Sequence, residues 1–191
     1  MQSDWKRFFD TFPEFDFEGY RLRAFRKNDA DDLYKCLSDP DVTELTSFEL
    51  NSFDQITKLI EASSIKFNKK YGINWAIVDK KTDRVIGFYG LMWIDPHNSR
   101  TEVGFILAKE YWNKGITTQV LKWILELVFT KVGVNSVEAT AMVGNNASAR
   151  VLEKCGFKKE GTLRELRYCR GKYHDFWKFS LLQKEWAHRK D

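Results

Sequence analysis

The chain has 191 residues, a length typical of one domain with a substantial core. Its net charge of +4 suits an anionic ligand but falls short of the basic stripe that nucleic-acid binding needs. The sequence contains neither an apolar run long enough to span a bilayer nor a secretory signal at the N-terminus. We expect a cytoplasmic protein with a single domain over 1–191, in which 1–16 is an N-terminal extension and 184–191 a C-terminal tail.

The three cysteines, Cys36, Cys155 and Cys169, are far apart and form no CxxC pair. This spacing indicates neither a zinc site nor a disulfide framework and is typical of a reducing compartment. We therefore expect no metal, and the charge and hydropathy predict no nucleic-acid or membrane partner.

The first half of the chain alternates between short polar turns and periodic apolar segments. Residues 20–25 alternate apolar and polar side chains, which predicts a strand. Asn28 and Asp29 resemble an N-cap for a helix that Pro40 would stop, and a second amphipathic helix begins near Phe53. Residues 73–78 and 84–93 predict a hairpin, and 100–107 a third strand.

The second half contains a strongly apolar helix that begins after Gly115 and ends at Gly133. A buried strand (136–143), a short helix (147–155) and two strands that turn near Gly171 follow. The resulting order is β-α-α-β-β-β-α-β-α-β-β. It predicts an α+β fold with a mixed, mostly antiparallel sheet and helices on its faces.

Residues 112–117 precede the apolar helix and form a candidate phosphate loop. Backbone amides at a helix N-terminus, together with the helix macrodipole, attract phosphate. Gly115 permits a positive φ or a close approach, and Lys114 adds a mobile cation. A glycine before a helix is, by itself, more often only a turn.

Asn145 and Ser148 are a second pair of candidates, at the end of the buried strand and the start of the short helix. Asn145 could hydrogen-bond an amide-rich arm of a ligand, and Ser148 could reach the same channel. N-capping explains both residues equally well.

Several segments together resemble the GCN5-related N-acetyltransferases (GNAT), and within them the branch that acetylates the N-termini of ribosomal proteins (RimJ/RimL-like). The resemblance covers nearly everything from Tyr20 to Trp186. The segments that carry it are 21–26, 33–42, 84–88, 102–107, 111–115, 145–157, 160–164 and 171–175.

The resemblance implies acetyl-CoA as the acetyl donor and a primary amine as the acceptor. It also implies a sheet in which strand 102–107 splays from its parallel neighbour 136–143, so that pantetheine lies between them. The residues implied to hold the cofactor are Phe105, Ile106 and Leu107 for pantetheine, Asn113, Lys114, Gly115, Ile116 and Thr117 for the pyrophosphate, and Asn145 and Ser148 for the pantetheine arm.

The chemistry is a direct attack by a neutral amine on a thioester. An α-amino group has a pKa of about 7.7–8.0, so a base needs only to relay a proton, directly or through water. Glu102 is the first candidate for this base, and a solvated charge near the end of a strand is the equal alternative. A backbone N–H near Phe105 or Ile106 could polarise the carbonyl.

The sequence departs from the family pattern at several positions. Leu152 stands where many members have a tyrosine beside the leaving thiolate, so Ser148 becomes the candidate for that role. Trp112 replaces the usual first residue of the phosphate loop, and Thr117 its usual small residue; neither change removes a backbone donor. Arg167, with Glu165 nearby, occupies the position of a glutamate in some members.

The sequence does not identify the acceptor of the acetyl group. In the family it lies near the final hairpin, where this chain has Tyr168, Tyr173, His174 and Asp175. The first hypothesis is the N-terminus of a protein or peptide, and the second a small amine such as a polyamine, an amino sugar or an antibiotic. The third is an acyl-CoA-binding module without catalysis. The chain is expected to be a monomer or a homodimer.

Overall fold

The computed structural model describes residues 5–188, which form one mixed sheet flanked by helices. The strands are β1 (Phe15–Phe17), β2 (Tyr20–Arg23), β3 (Ile73–Asp79), β4 (Arg84–Asp95), β5 (Arg100–Leu107), β6 (Ser136–Met142), β7 (Lys158–Cys169) and β8 (Lys172–Leu182). The helices are α1 (Ala30–Leu37), α2 (Pro40–Thr43), α3 (Phe53–Asn68), α4 (Ile116–Leu127), α5 (Asn146–Lys154) and α6 (Gln183–Ala187).

The strand order in the sheet is β1-β2-β3-β4-β5-β6-β8-β7. Neighbouring strands are antiparallel, with the exception of the parallel pair β5 and β6. The predicted α+β fold is therefore confirmed. None of the helices within residues 5–188 combines the length and the apolar character that crossing a membrane requires.

The sheet is buried on both faces because its central strands carry apolar side chains on both. Ile73, Trp75 and Ile77 of β3 pack into the large cluster that also holds the buried residues of α4 and α5. Ala76 and Val78, which point the other way, pack against α1 and α3. Because successive side chains of a strand point to opposite faces, apolar residues of β3 pack against helices on both faces of the sheet.

The structure differs from the predicted elements at Pro40 and near both ends of the described chain. Pro40 does not stop α1, which already ends at Leu37, but occupies the first position of α2. That position suits proline because its missing N–H has no intrahelical partner. Asp39 caps α2 by accepting a 2.9 Å hydrogen bond from the N–H of Asp41. The short strand β1 and helix α6 lie in the segments predicted as extension and tail.

A buried ion pair fixes β2 to the beginning of α1. The guanidinium of Arg23 donates two hydrogen bonds, of 2.7 and 2.8 Å, to the carboxylate of Asp29. Asp29 also accepts a 2.7 Å bond from the backbone N–H of Arg26. Because both partners are almost fully buried, each depends on the other for its charge compensation.

The parallel pair β5 and β6 opens before its end. The two strands pair from Arg100 opposite Ser136 to Val103 opposite Ala139. Beyond that point β5 continues to pair only with β4, and β6 only with β8. Residues 104–107 and 140–142 therefore border a wedge-shaped opening, as the predicted splay requires.

Candidate functional site

The candidate phosphate loop lies where the chain passes from β5 into α4. A 3₁₀ turn (Lys109–Tyr111) follows β5, and Asn113 and Gly115 have φ values of 60° and 77°. Within the described residues, no hydrogen bond is recorded for the backbone N–H groups of 113–118. The first intrahelical bond is that of Gln119, whose N–H donates to the carbonyl of Gly115 at 3.0 Å. The loop therefore presents a row of free donors at the positive end of α4.

Gly115 and Lys114 determine the shape and the charge of this loop. A Cβ built on Gly115 meets no atom within 4 Å, so the glycine serves the positive φ and leaves open space above the amides. The ammonium of Lys114 lies 4.9 Å from the centre of the Tyr111 ring. The donor set and the space fit a diphosphate, as the sequence predicts.

Trp112 connects this loop to the end of β5. Its indole N–H donates a 2.7 Å hydrogen bond to the carbonyl of Leu107. The residue that replaces the usual first residue of the phosphate loop therefore holds the loop against the strand that borders the wedge.

On the other side of the wedge, Asn145 caps α5. Its Oδ1 accepts a 3.0 Å bond from the N–H of Ser148, and its Nδ2 donates a 3.0 Å bond to the carbonyl of Leu45. The N-cap interpretation is thus confirmed for Asn145 but is wrong for Ser148, which is the third residue of α5. Ser148 is half-buried, and within residues 5–188 no hydrogen bond of its hydroxyl is recorded. Leu152, one turn further, is buried in the core.

Glu102 is not a solvated charge near the end of a strand, and that alternative is wrong. The residue is 9% exposed, and both of its carboxylate oxygens accept a hydrogen bond. Oε2 accepts from the indole N–H of Trp93 on β4, and Oε1 from the hydroxyl of Thr140 on β6, each at 3.0 Å. Within the described chain, no lysine or arginine forms an ion pair with it.

The charges around Glu102 are paired with one another. Arg100 lies 3.2 Å from Asp95 and 3.3 Å from Glu138, and Lys178 lies 2.5 Å from Glu138. The carboxyl group of Glu102 is therefore buried and bound by neutral donors, next to carboxylates that are already paired with cations.

The two faces of β5 have different environments at the wedge. Ile106 packs with the cluster under α1 and α3, and the alternation of the strand places Glu102 on the same face. Phe105 points to the opposite face, where its ring stacks on Tyr89 with centroids 5.0 Å apart. The predicted base and the predicted pantetheine residues thus belong to one strand at the same opening.

The β7–β8 hairpin borders the site through contacts that sequence reasoning did not find. Arg170 donates side-chain hydrogen bonds to the carbonyls of Thr46 and Phe48, and its backbone N–H donates to Glu49. Arg167 donates a 2.8 Å bond to the hydroxyl of Ser47. The segment after α2 is thereby fixed to the hairpin, while Leu45 in the same segment contacts Asn145.

The predicted acceptor residues on this hairpin have separate environments. Tyr168 and Tyr173 pack edge to face at 5.1 Å, and both are mostly exposed. His174 lies with Nε2 3.1 Å from the carbonyl oxygen of Cys169. Asp175 accepts a 2.8 Å bond from the N–H of Glu165. Within residues 5–188, neither His174 nor Asp175 forms a hydrogen bond with Glu102.

Comparisons with known proteins identify the family of the chain. The profile of the family described as "Acetyltransferase (GNAT) domain" matches residues 20–158. A protein of Bacillus licheniformis named uncharacterized N-acetyltransferase p20 is 32% identical over 174 residues, which are 89% of this chain and 96% of that protein.

Solved structures show the same fold. The ribosomal-protein-S5-alanine acetyltransferase of Vibrio fischeri superimposes with a TM-score of 0.81 at 22% identity, over 91% of this chain and 98% of that one. Spermidine N-acetyltransferase of Vibrio cholerae, solved with CoA and spermine, gives 0.75 at 23% identity, over 88% and 98%. Since the family profile spans most of the chain, the protein belongs to the GNAT family of acetyl-CoA-dependent N-acetyltransferases.

Proposed function

We propose that the protein transfers the acetyl group of acetyl-CoA to the N-terminal α-amine of a protein or peptide. The observation that carries this proposal is the state of Glu102: a buried carboxylate beside the wedge, with two neutral donors and no cation among the described residues. A carboxylate of this kind can accept a proton from one amine. The fold shared with the S5-alanine acetyltransferase supports the same acceptor class.

We propose the following positions for acetyl-CoA along the wedge. The amides of Asn113, Lys114, Gly115, Ile116 and Thr117 hold its diphosphate at the N-terminus of α4. The backbone of Phe105, Ile106 and Leu107 is the exposed edge of β5 and pairs with the amides of pantetheine, while Asn145 and Ser148 border the arm from α5. Acetyl-CoA supplies the acetyl group as an activated thioester.

The transfer requires one proton to leave the amine and one to reach the sulfur. The amine nitrogen forms the new C–N bond, the C–S bond breaks, and the proton passes from nitrogen to the carboxylate of Glu102, directly or through water. General-base catalysis of this kind contributes about 10²–10⁴-fold. The hydroxyl of Ser148 donates a hydrogen bond to the departing thiolate, in the role that Leu152 cannot perform. The thiolate then takes up a proton from water, and Glu102 returns its proton to water, which restores the enzyme.

A small amine is the second candidate, since the fold is also that of a spermidine N-acetyltransferase. A polyamine carries several positive charges and needs more than one free carboxylate. Near Glu102, however, Asp95 and Glu138 are already paired with Arg100 and Lys178. This pairing favours an acceptor with a single amine, such as the N-terminus of a peptide, over a polyamine.

A panel of acceptors tests the proposal. Peptides with free N-termini, the same peptides with blocked N-termini, spermidine and an amino sugar are incubated with acetyl-CoA, and free thiol and product mass are measured together. We expect thiol release that matches acetylation of the free N-termini only. Faster acetylation of spermidine or the amino sugar would assign a small amine instead. Thermal stabilisation by acetyl-CoA without thiol release from any amine would indicate a binding module.

A further inference from the structure

We infer that Trp93 and Thr140 are positioning residues that hold Glu102 in place for the reaction; this inference rests on the proposed function. Each donates one 3.0 Å hydrogen bond to a different oxygen of the carboxylate. The two donors come from the strands on either side of β5. The carboxylate is therefore fixed in the plane that both bonds define.

A bulge in β4 brings Trp93 to this place. Leu91 pairs with Val103, and a regular antiparallel ladder would next set Met92 opposite Glu102. The register shifts between Leu91 and Trp93, so that Trp93 stands opposite Glu102 instead. Directly opposed residues on one face are within reach of each other's side chains. Because of the bulge, the carboxylate of Glu102 meets the indole N–H of Trp93 and not the thioether of Met92.

Thr140 is the first residue of β6 after the pairing with β5 ends. The last paired positions are Val103 and Ala139. The bond between Thr140 and Glu102 consequently joins the two strands at the apex of the wedge through side chains. This bond places the carboxylate beside the end of the wedge at which the strands part.

Trp93 is also held by contacts with Thr101 and Arg100 of β5. Its carbonyl accepts a 2.6 Å bond from the hydroxyl of Thr101, and the guanidinium of Arg100 lies 5.4 Å from its ring centre. Arg100 is in turn held by Asp95 and Glu138. The indole is therefore oriented before any substrate binds, which is the arrangement expected of a preorganised site.

The donors are neutral, and this matters for the reaction. A lysine or arginine at either position would neutralise Glu102 and compete with the amine. Trp93 and Thr140 satisfy the buried oxygens and leave the negative charge available to the proton of the acceptor. Loss of either donor would leave a less restrained carboxylate with one unsatisfied oxygen.

The experiment compares Thr140→Val, which keeps the shape and removes the hydroxyl, with Thr140→Ser, which keeps the hydroxyl. The acceptor is the best peptide of the panel. A hydrogen bond to a charged group contributes about 1.5–3 kcal/mol, so we expect kcat to fall by at least about ten-fold in Thr140→Val. The KM for acetyl-CoA should not change, and Thr140→Ser should stay within about two-fold of the wild type. Trp93→Phe should behave like Thr140→Val, and thermal melting shows which variants are folded.

A double-mutant cycle separates positioning from a structural role. If Thr140 acts through Glu102, Thr140→Val should lower kcat by less than about two-fold when Glu102→Gln is already present. An additive loss, or full activity of Thr140→Val, would overturn the inference. Full activity of Glu102→Gln would refute the base itself, and the absence of any acetylated amine would refute the proposed function. A slow Glu102→Gln beside a normal Thr140→Val would refute positioning alone.

Discussion

Glu102 on β5 and Thr140 on β6 are joined by a 3.0 Å hydrogen bond across the point where the two strands stop pairing. The same carboxylate accepts a bond from Trp93, so all three strands contribute to one group. The candidate base is therefore held by β4, β5 and β6 together, next to the opening of the sheet.

Glu102→Gln should lower kcat by about 100-fold or more, because an amide cannot accept the proton of the amine. The affinity for CoA should stay the same. Glu138→Gln is the matched control, since Glu138 is opposite Glu102 in register and is already paired with Arg100 and Lys178. Steady-state kinetics with a peptide acceptor measure both. An equal loss in the two variants would contradict the role of Glu102.

Gly115→Glu should raise the Kd for CoA by at least about ten-fold, since a carboxylate next to the diphosphate costs several kcal/mol. Gly171→Glu offers the control: its φ is 76°, against 77° for Gly115, and a Cβ at either position meets no atom within 4 Å. Both substitutions thus impose a similar backbone strain and charge. Calorimetry should show weakened CoA binding in Gly115→Glu alone; similar Kd values would argue against the loop as the phosphate site.

Ser148→Ala should lower the turnover rate by about ten-fold and leave the affinity for CoA unchanged, because only the hydroxyl is lost. The N–H of Ser148, which Asn145 caps, is retained, so the helix should keep its stability. Turnover and CoA titration on the same preparation provide the comparison. Unaltered turnover with a good acceptor would exclude the hydroxyl as the partner of the thiolate.

Arg23→Met should destabilise the fold by about 3–5 kcal/mol, since it leaves the buried carboxylate of Asp29 without its cation. The melting temperature should fall by on the order of 10 °C. Arg21→Met is the control on the same strand, because Arg21 pairs with Asp16 at the surface and its side chain is 43% exposed. A similar melting temperature for both variants would show that the buried pair contributes no more than the exposed one.

Cys36 should not react with a thiol reagent in the folded protein at pH 8. Burial, together with the nearby Glu110 and Asp39, raises the pKa of the Cys36 thiol to about 12, so the reactive thiolate is scarce. Cys155 and Cys169 are buried as well. The reagent that measures CoA release should therefore detect protein thiols only after denaturant is added; rapid labelling of the native protein would contradict this burial.

The sequence predicted the order of the strands and most of the helices because their apolar residues repeat with clear periods. The capping role of Asn145 is confirmed as well, while Glu102 as the base and 113–117 as the phosphate site stay predictions. It did not predict Trp93 as a partner of Glu102, because the bulge near Met92 changes the register without any local signal. The position of Thr140 could have been predicted, since alternation along β6 places it on the same face as Glu138.

The contacts of Arg170 were beyond prediction for a different reason. They join the β7–β8 hairpin to Thr46 and Phe48, which are distant in the sequence, and no spacing rule connects the two segments. Arg167 was interpreted as the replacement of a glutamate, but its guanidinium contacts Ser47. Long-range polar contacts of this kind depend on the assembled fold.

A crystal structure of the protein with CoA tests the central claim most directly. We expect the diphosphate on the backbone amides of 113–117 and the pantetheine between residues 104–107 of β5 and 140–142 of β6, with its thiol on the side of Glu102. CoA bound elsewhere, or β5 and β6 paired along their full length with CoA present, would contradict the account.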